Sequence, residues 1–240
     1  MSEVNLVSNA PNLDSSRRHR PENMARGQNT PSETYRITPD RTKFCLDFLM
    51  ATTALVVLFP MLLMVMMLIY AVQGGPVFIA HRRIGRHGVV FPCFKFRTMV
   101  NNSDDVLAQH LASNRDVRAE WNATRKLKND PRVTPLGLVL RKNSIDEIPQ
   151  LFNVLRGDMS LVGPRPIVAS EAEFYGPHFA NYVRVRPGLT GLWQVSGRSD
   201  TSYRRRVELD VRYVSERSLW GDLVIMAKTL PAVLSSRGSY

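Results

Sequence analysis

Two adjacent carboxylates, Asp146 and Glu147, stand in the run Ser144-Ile145-Asp146-Glu147-Ile148-Pro149-Gln150-Leu151-Phe152. The run carries two readings. In the first, Ser144 caps a helix from about Ile145 to Arg156, with Ser144-x-x-Glu147 as a capping box. Ile148, Leu151, Phe152 and Leu155 form its buried stripe, and Gly157 ends it. Acidic residues in a first turn then need no further role, because backbone amides and the helix dipole favour negative charge there. In the second, one carboxylate is a nucleophile and its neighbour assists. A carboxylate at a helix N-terminus stays ionised and ready to attack, and the amides of the same helix end suit a phosphate.

Arginines in stiff settings surround this run in the sequence. Arg141 lies five residues before Asp146. Arg165 is bracketed in Gly163-Pro164-Arg165-Pro166, Arg186 precedes Pro187-Gly188, and Arg198 follows Gly197. Guanidinium groups make planar bidentate contacts with oxyanions, so fixed arginines would suit a diphosphate. Solvated surface arginines are the alternative for each. The chain has no P-loop, dinucleotide fingerprint or zinc motif. Its two cysteines, Cys45 and Cys93, form no disulfide framework or metal-ligand spacing, which fits a reducing compartment.

The elements that must position these groups follow from composition. The 240 residues carry a net charge of +11, which points to anionic partners: nucleic acid, acidic membrane surface or phosphorylated substrates. Residues 1–40 are polar, rich in Ser, Asn, Pro and Arg, and read as a disordered basic tail. From Phe48 to Val72 there is no charged residue. A straight helix of that length measures about 37 Å, enough to cross a hydrocarbon core of about 30 Å. Pro60 sits at its midpoint and removes a helix hydrogen bond. Arg36, Arg41 and Lys43 precede the segment and Arg82, Arg83 and Arg86 follow it, so neither flank is marked as the inside. A kinked spanning helix and a re-entrant hairpin over 41–73, broken at Pro60, both accommodate these features.

Beyond it, Gly74-Gly75-Pro76 marks a turn. A strand begins at Val77–Ala80, Gly85–Gly88 turns the chain, and a second strand runs over Val89–Thr98. Residues 101–128 read as helical with Trp121 as an anchor, Asp130-Pro131 as a loop, and 168–184 as helical again. Turn signals crowd 186–201. Residues 202–235 are amphipathic, with Val207, Val211, Val214, Leu219 and Leu223 set against Arg204, Arg205, Arg206 and Arg212. Such a helix lies in a membrane interface, with Trp220 at headgroup depth, or packs on its own domain's core.

Four runs in this order resemble the bacterial sugar transferase family, the monotopic polyprenyl-phosphate phosphoglycosyl transferases. They are Lys95-Phe96-Arg97-Thr98-Met99, Ser144 to Val154, Gly157-Asp158-Met159-Ser160-Leu161-Val162-Gly163-Pro164-Arg165-Pro166, and Arg186-Pro187-Gly188-Leu189-Thr190-Gly191. The resemblance covers about residues 40–240. It implies an α-rich α/β membrane protein. A re-entrant helix-break-helix hairpin would be followed by a cytoplasmic catalytic domain over 74–240, with a small β-hairpin and interfacial amphipathic helices. Where the family often has Ser-Pro at the break, this chain has Phe59-Pro60.

The resemblance also implies a reaction. A nucleotide diphosphate sugar leaves a phospho-sugar on Asp146 and releases the nucleotide monophosphate, and polyprenyl phosphate then takes the phospho-sugar, with magnesium. Glu147 would activate the lipid phosphate or help hold the metal. Arg141 matches a lipid-phosphate contact, and Arg97, Arg165 and Arg198 match positions lining the phosphate and nucleotide site. Lys95 and Arg186, carried by the first and last runs, are further candidates for substrate binding. Within the family, Gly74-Gly75-Pro76, His81-Arg82-Arg83-Ile84-Gly85 and Arg237-Gly238-Ser239-Tyr240 look closest to enzymes initiating exopolysaccharide synthesis. The nearest of those move galactose 1-phosphate from UDP-galactose to undecaprenyl phosphate, with a UDP-glucose enzyme as the alternative. The implied location is the bacterial inner membrane with the catalytic domain on its cytoplasmic face. The implied partners are membrane lipids and downstream glycosyltransferases, with no nucleic acid. A membrane-tethered binding protein would also explain the charge and the apolar segment. It leaves the Asp-Glu pair beside fixed arginines unaccounted for, and the chain lacks the aromatic-basic interleaving of a nucleic-acid site.

Overall fold

A computed structural model describes residues 40–124, 127–197 and 202–234. The expected tail over 1–40 lies outside the described residues except for Asp40, as does Arg198. The protein is helix-rich with two small sheets.

Helix α1 spans Asp40–Gln73 and is the one described helix long and apolar enough to cross a membrane. At about 1.5 Å per residue its 34 residues measure about 51 Å. The helical pattern runs through Pro60. A proline deletes one donor and crowds one carbonyl, and the remaining ladder can continue on either side. The expected break is therefore not an interruption of secondary structure. Thr52 and Thr53 turn their hydroxyls back onto the carbonyls of Phe48 and Leu49, at 2.8 and 2.9 Å, so neither leaves a bare polar group on the apolar rod.

The expected hairpin forms as β1 (Phe78–Ile84) and β2 (Val90–Phe96), antiparallel, with Arg83 opposite Phe91, His81 opposite Cys93 and Ile79 opposite Lys95. His87, with φ 58°, turns the chain between them. Residues 101–128 hold two helices, α2 (Ser103–Ser113) and α3 (Arg115–Thr124), and the Arg132 guanidinium lies 5.1 Å from the Trp121 ring. Helix α4 (Pro135–Lys142) was not anticipated, although its start is written in the sequence. Thr134 accepts a 2.9 Å hydrogen bond from the Gly137 amide, and Pro135 takes the first helical position, where its missing N–H costs nothing.

After α5 (Gln150–Arg156), Gly157 adopts φ 81° and ends the helix as expected. Strand β3 (Ser160–Val162) pairs in parallel with β4 (Gly188–Thr190). A Cβ on Gly188 would lie 2.1 Å from the Gly163 nitrogen, and one on Gly163 would lie 2.6 Å from the Arg186 carbonyl oxygen. Only glycine permits that crossing. Between the strands, 168–184 folds as single turns, including α6 (Ala172–Tyr175) and α7 (Phe179–Tyr182), rather than one helix. The amphipathic end divides at Arg217-Ser218 into α8 (Tyr203–Glu216) and α9 (Leu219–Leu234). Trp220 stands exposed, while Val207, Leu209 and Tyr213 are buried, so α8 packs on its own domain.

Three buried clusters join these elements. One sets Ala51 of α1 against Phe91, Leu151, Val154, Leu161 and Ile225, and a second sets Leu62, Val65 and Ile69 against Phe96 and Leu140. A third gathers Ile84, Ile167, Tyr175, Tyr182 and Val207. The foot of α1 is tied down by buried charge. Lys43 donates to Asp222 of α9 at 2.5 Å, and Asp47 accepts from the Ser160 hydroxyl at 2.8 Å. Tyr213 donates to the other oxygen of Asp222 at 2.8 Å. Removing one partner from such a set strands a buried charge, at about 3–5 kcal/mol.

Candidate functional site

The hairpin register decides which side chains meet. Alternate residues of a strand share a face, and directly paired residues point the same way. Arg83, Cys93 and Lys95 therefore lie on one face of the hairpin, and Phe96 turns to the other. A narrow groove on the first face is lined by Arg83, Cys93, Lys95, Glu147, Gln150, Arg165 and Gln194, among others. Asp146 lies beside it, buried, and reached by the same ammonium.

Lys95 is the hinge of the arrangement. Its Nζ donates to Glu147 Oε1 at 2.7 Å and stands 3.6 Å from Asp146 Oδ2. Arg165, on the Gly163–Pro166 turn beyond β3, brings Nη2 to 3.9 Å from the same Glu147 oxygen. Arg141 donates from Nε to Thr98 Oγ1 at 2.9 Å, and its charge is felt by Asp146. The structure thus gathers Asp146, Glu147, Lys95, Arg141 and Arg165.

Two other candidates go elsewhere. Arg97 is buried and donates to the carbonyls of Gln73 and Gly74, at 2.8 and 2.5 Å, and to the Asn101 side chain. A guanidinium at the C-terminal end of α1 meets the carbonyls that lack a helical partner, and the dipole favours it there. Arg186 sits at the foot of α1, 3.9 Å from Asp47 Oδ2 and over the Phe44 ring at 5.0 Å. Both arginines were expected at the substrate, and both fasten the long helix to the domain.

The local backbone also differs from the expected capping box. Ser144 is left-handed (φ 56°, ψ 19°), and its side chain caps nothing. Asp146 and Glu147 occupy a single 3₁₀ turn, Ile145–Glu147, ahead of α5. A non-glycine residue in that conformation costs about 1–2 kcal/mol, and such strain gathers at functional sites. The helix-dipole account of an ionised Asp146 therefore loses its footing. Burial pushes the Asp146 carboxyl up from the ordinary range. Lys95 and Arg141 oppose this, the Glu147 charge adds to it, and the outcome is upward. Burial also pushes Glu147 up, but Lys95, Arg165 and Arg83 overcome it and bring Glu147 down to about 2. The environment splits the pair, holding Glu147 in its charged form and making Asp146 the more basic of the two.

Sequence reasoning passed over Arg83, Gln150, Gln194 and Trp193. The alternation of β1 could have placed Arg83 on the hairpin face that carries Lys95. The glutamines carried no signal, because a polar residue in a helix or turn is ordinarily solvated. Gln194 spends its amide on the Leu189 carbonyl at 3.0 Å and leaves Oε1 buried without a partner. Trp193 lies under Arg165, 5.6 Å from its ring, and under Arg206 at 5.1 Å.

Behind Trp193, Tyr175 donates to Asp210 Oδ2 at 2.7 Å. Burial pushes the Asp210 carboxyl up to about 7, with the Tyr175 hydrogen bond and Arg206 opposing. The folded state holds this proton where the unfolded chain, with an ordinary value of 3.8, has lost it. Stability from Asp210 is therefore present at about pH 4 and is lost as pH rises to about 7. Asp210→Asn should match the parent in Tm near pH 4 and melt above it at pH 8; equal Tm values at pH 8 would contradict this.

Magnesium has a plausible donor set here. Asp146 and Glu147 offer hard oxygen ligands, and among the described residues no third His, Cys, Asp or Glu joins them. Mg²⁺ is commonly held by one or two carboxylates with substrate phosphates and waters, which this pair fits.

Comparison with known proteins gives this geometry its context. The family model described as "Bacterial sugar transferase" matches residues 38–236. The exopolysaccharide production protein ExoY of Rhizobium meliloti is 53% identical over 212 residues, covering 88% of this chain and 94% of that protein. The undecaprenyl-phosphate galactose phosphotransferase of Salmonella typhimurium is 55% identical over 168 residues, covering 70% of this chain and 35% of that longer protein. The UDP-glucose:undecaprenyl-phosphate glucose-1-phosphate transferase of Caulobacter vibrioides is 37% identical over 213 residues, covering 85% and 74%.

Proposed function

Because the chain belongs to the bacterial sugar transferase family, we propose that it moves a hexose 1-phosphate from a UDP-hexose onto undecaprenyl phosphate as the first step of exopolysaccharide synthesis. The observation that carries this reading is the split carboxylate pair. Asp146 is buried and raised, and Glu147 is pinned by Lys95 at 2.7 Å with Arg165 beside it.

In the first half-reaction an Asp146 carboxylate oxygen attacks the phosphorus that bears the sugar. The bond to the nucleotide's bridging oxygen breaks and UMP leaves. In the second, a phosphate oxygen of the lipid attacks the phosphorus of the aspartyl phospho-sugar. The acyl–phosphate bond breaks, freeing the Asp146 carboxylate and giving the lipid diphosphate sugar. Lys95 and Arg165 neutralise phosphate charge as it develops, and Arg141 is placed to meet the acceptor's phosphate. Asp146 and Glu147 would hold Mg²⁺, which supplies further neutralisation of phosphate oxygens. Glu147, charged throughout, fixes the Lys95 ammonium beside the nucleophile.

The membrane reading follows the same logic. Basic flanks on both sides of 41–73, with Pro60 at the middle, support a re-entrant hairpin that keeps both ends on the cytoplasmic face of the inner membrane. Residues 74–240 are the catalytic domain at that face. Carbonyls freed near Pro60 then need protein partners, because lipid offers none.

Galactose is the proposed hexose, on the name of the Salmonella relative, and glucose is the second reading, on the name of the Caulobacter relative. Radiolabelled UDP-galactose and UDP-glucose, each supplied with undecaprenyl phosphate and purified protein, distinguish them. UDP-galactose is expected to yield labelled lipid with the higher kcat/KM. A preference for UDP-glucose would reverse the assignment, and no labelled lipid from either would end the reading.

A further inference from the structure

Arg83 and Arg165 line one narrow groove with Glu147, yet they come from separate elements, β1 and the turn after β3. Burial lowers the Arg83 guanidinium from its ordinary range, and the Arg165 charge lowers it further. Two cations that repel across a groove keep their places only if something behind them holds them. Contacts from both converge on a third guanidinium outside the groove, Arg206 of α8.

One line of contact runs through Glu171. Its Oε2 stands 3.7 Å from Arg83 Nη1 and its Oε1 stands 3.7 Å from Arg206 Nη1. The carboxylate is itself fixed, because Oε2 accepts from the Val168 amide at 3.0 Å. The other line runs through Trp193, whose ring lies 5.6 Å from the Arg165 guanidinium carbon and 5.1 Å from that of Arg206. The chain of contacts Arg83, Glu171, Arg206, Trp193, Arg165 therefore begins and ends in the groove. Arg165 ends it 3.9 Å from Glu147.

The node of this chain sits where packing alone would not put it. The Arg206 side chain is 11% exposed, and its Nε and Nη2 have no hydrogen-bond partner. Buried donors left that way cost free energy. The offset comes from aromatic faces, Trp193 on one element and the Tyr203 ring at 4.9 Å, since a guanidinium away from water gains most from such contacts. Trp193 is buried too, and its indole N–H has no acceptor, which a tryptophan filling a core ordinarily finds. We propose that Arg206 and Trp193 are positioning residues for Arg165, holding its guanidinium at the groove wall without touching substrate. This rests on the reading of Arg165 as a group that neutralises phosphate charge. Released from the indole, the Arg165 side chain regains its rotamers and must be ordered again in each turnover.

Trp193→Leu keeps an apolar side chain and removes the ring. Arg206→Met keeps the unbranched stem and removes the charged plane. Each is expected to lower kcat/KM for UMP release from the UDP-hexose about tenfold, the scale of one desolvated cation–π contact. Trp193→Phe restores an aromatic face and should recover most of the loss. Arg206→Lys keeps the charge without the plane, so it should lose activity as Arg206→Met does and serves in its place if that variant does not fold. A double-mutant cycle separates positioning from damage to the fold. In an Arg165→Met background, Trp193→Leu and the Arg206 variant should each cost less than about twofold more. Losses that multiply in the double variants would overturn the proposal, because a fold defect lowers activity whether or not Arg165 is present. Parental kcat/KM in both single variants, or equal losses in Trp193→Phe and Trp193→Leu, would overturn it as well. Parental UMP release by Arg165→Met alone is a different result: it ends the phosphate-neutralising reading of Arg165, and the positioning proposal with it.

Discussion

Asp146→Asn is expected to lose UMP release from the UDP-hexose by at least about a thousandfold, with or without lipid acceptor. The amide keeps the volume and the hydrogen-bonding shape of the carboxyl but has no anionic oxygen to form the bond to phosphorus. The fold should survive, because the Lys95–Glu147 contact at 2.7 Å and the packing of Leu151 and Val154 do not depend on the Asp146 charge. Assay of UMP in the absence of acceptor isolates this step. Glu147→Gln should fall as well, through loss of the anion that seats Lys95.

Lys95→Met is the second large effect, expected at about a hundredfold in kcat for UMP release. Without the ammonium the two carboxylates face each other across a partly buried site with no cation within 3.6 Å of both. Lys95 is the first opposing influence on the raised Asp146 and the chief one holding Glu147 near 2. Its removal therefore moves both carboxyls upward. Since Asp146 attacks only when ionised, the acid limb of the pH–rate profile should shift to higher pH. A variant with parental kcat and an unmoved acid limb would show that Lys95 merely occupies the groove.

Much of the site was legible in the sequence, and the reasons for the remainder are physical. The Asp146-Glu147 pair, the glycine stop at Gly157 and the β1–β2 hairpin are local features whose residue types dictate their geometry. Arg165, on the turn that follows the tight crossing of Gly163 and Gly188, brings its guanidinium to 3.9 Å from Glu147. Arg186 has the same proline-and-glycine bracketing and goes to Asp47 instead. Bracketing reports stiffness and says nothing about direction, which depends on long-range packing. Arg97 answers carbonyls at the end of α1, a demand visible only once the helix end is located. Ser144 carries a capping-box pattern but adopts a left-handed turn, and Asp146 and Glu147 fall on a 3₁₀ turn ahead of α5 rather than in its first turn. The opposed faces of Lys95 and Phe96 were implicit in strand alternation, yet their meaning waited on what packs against each.

The central claim is that Asp146 becomes covalently bonded to the sugar phosphate. Purified protein incubated with UDP-galactose and no lipid, then digested and mapped by mass spectrometry, tests it directly. The account predicts a hexose phosphate adduct on the peptide containing Asp146, discharged when undecaprenyl phosphate is added and absent in Asp146→Asn. UMP release at the normal rate with no adduct on any peptide, or an adduct on a different residue, would contradict it.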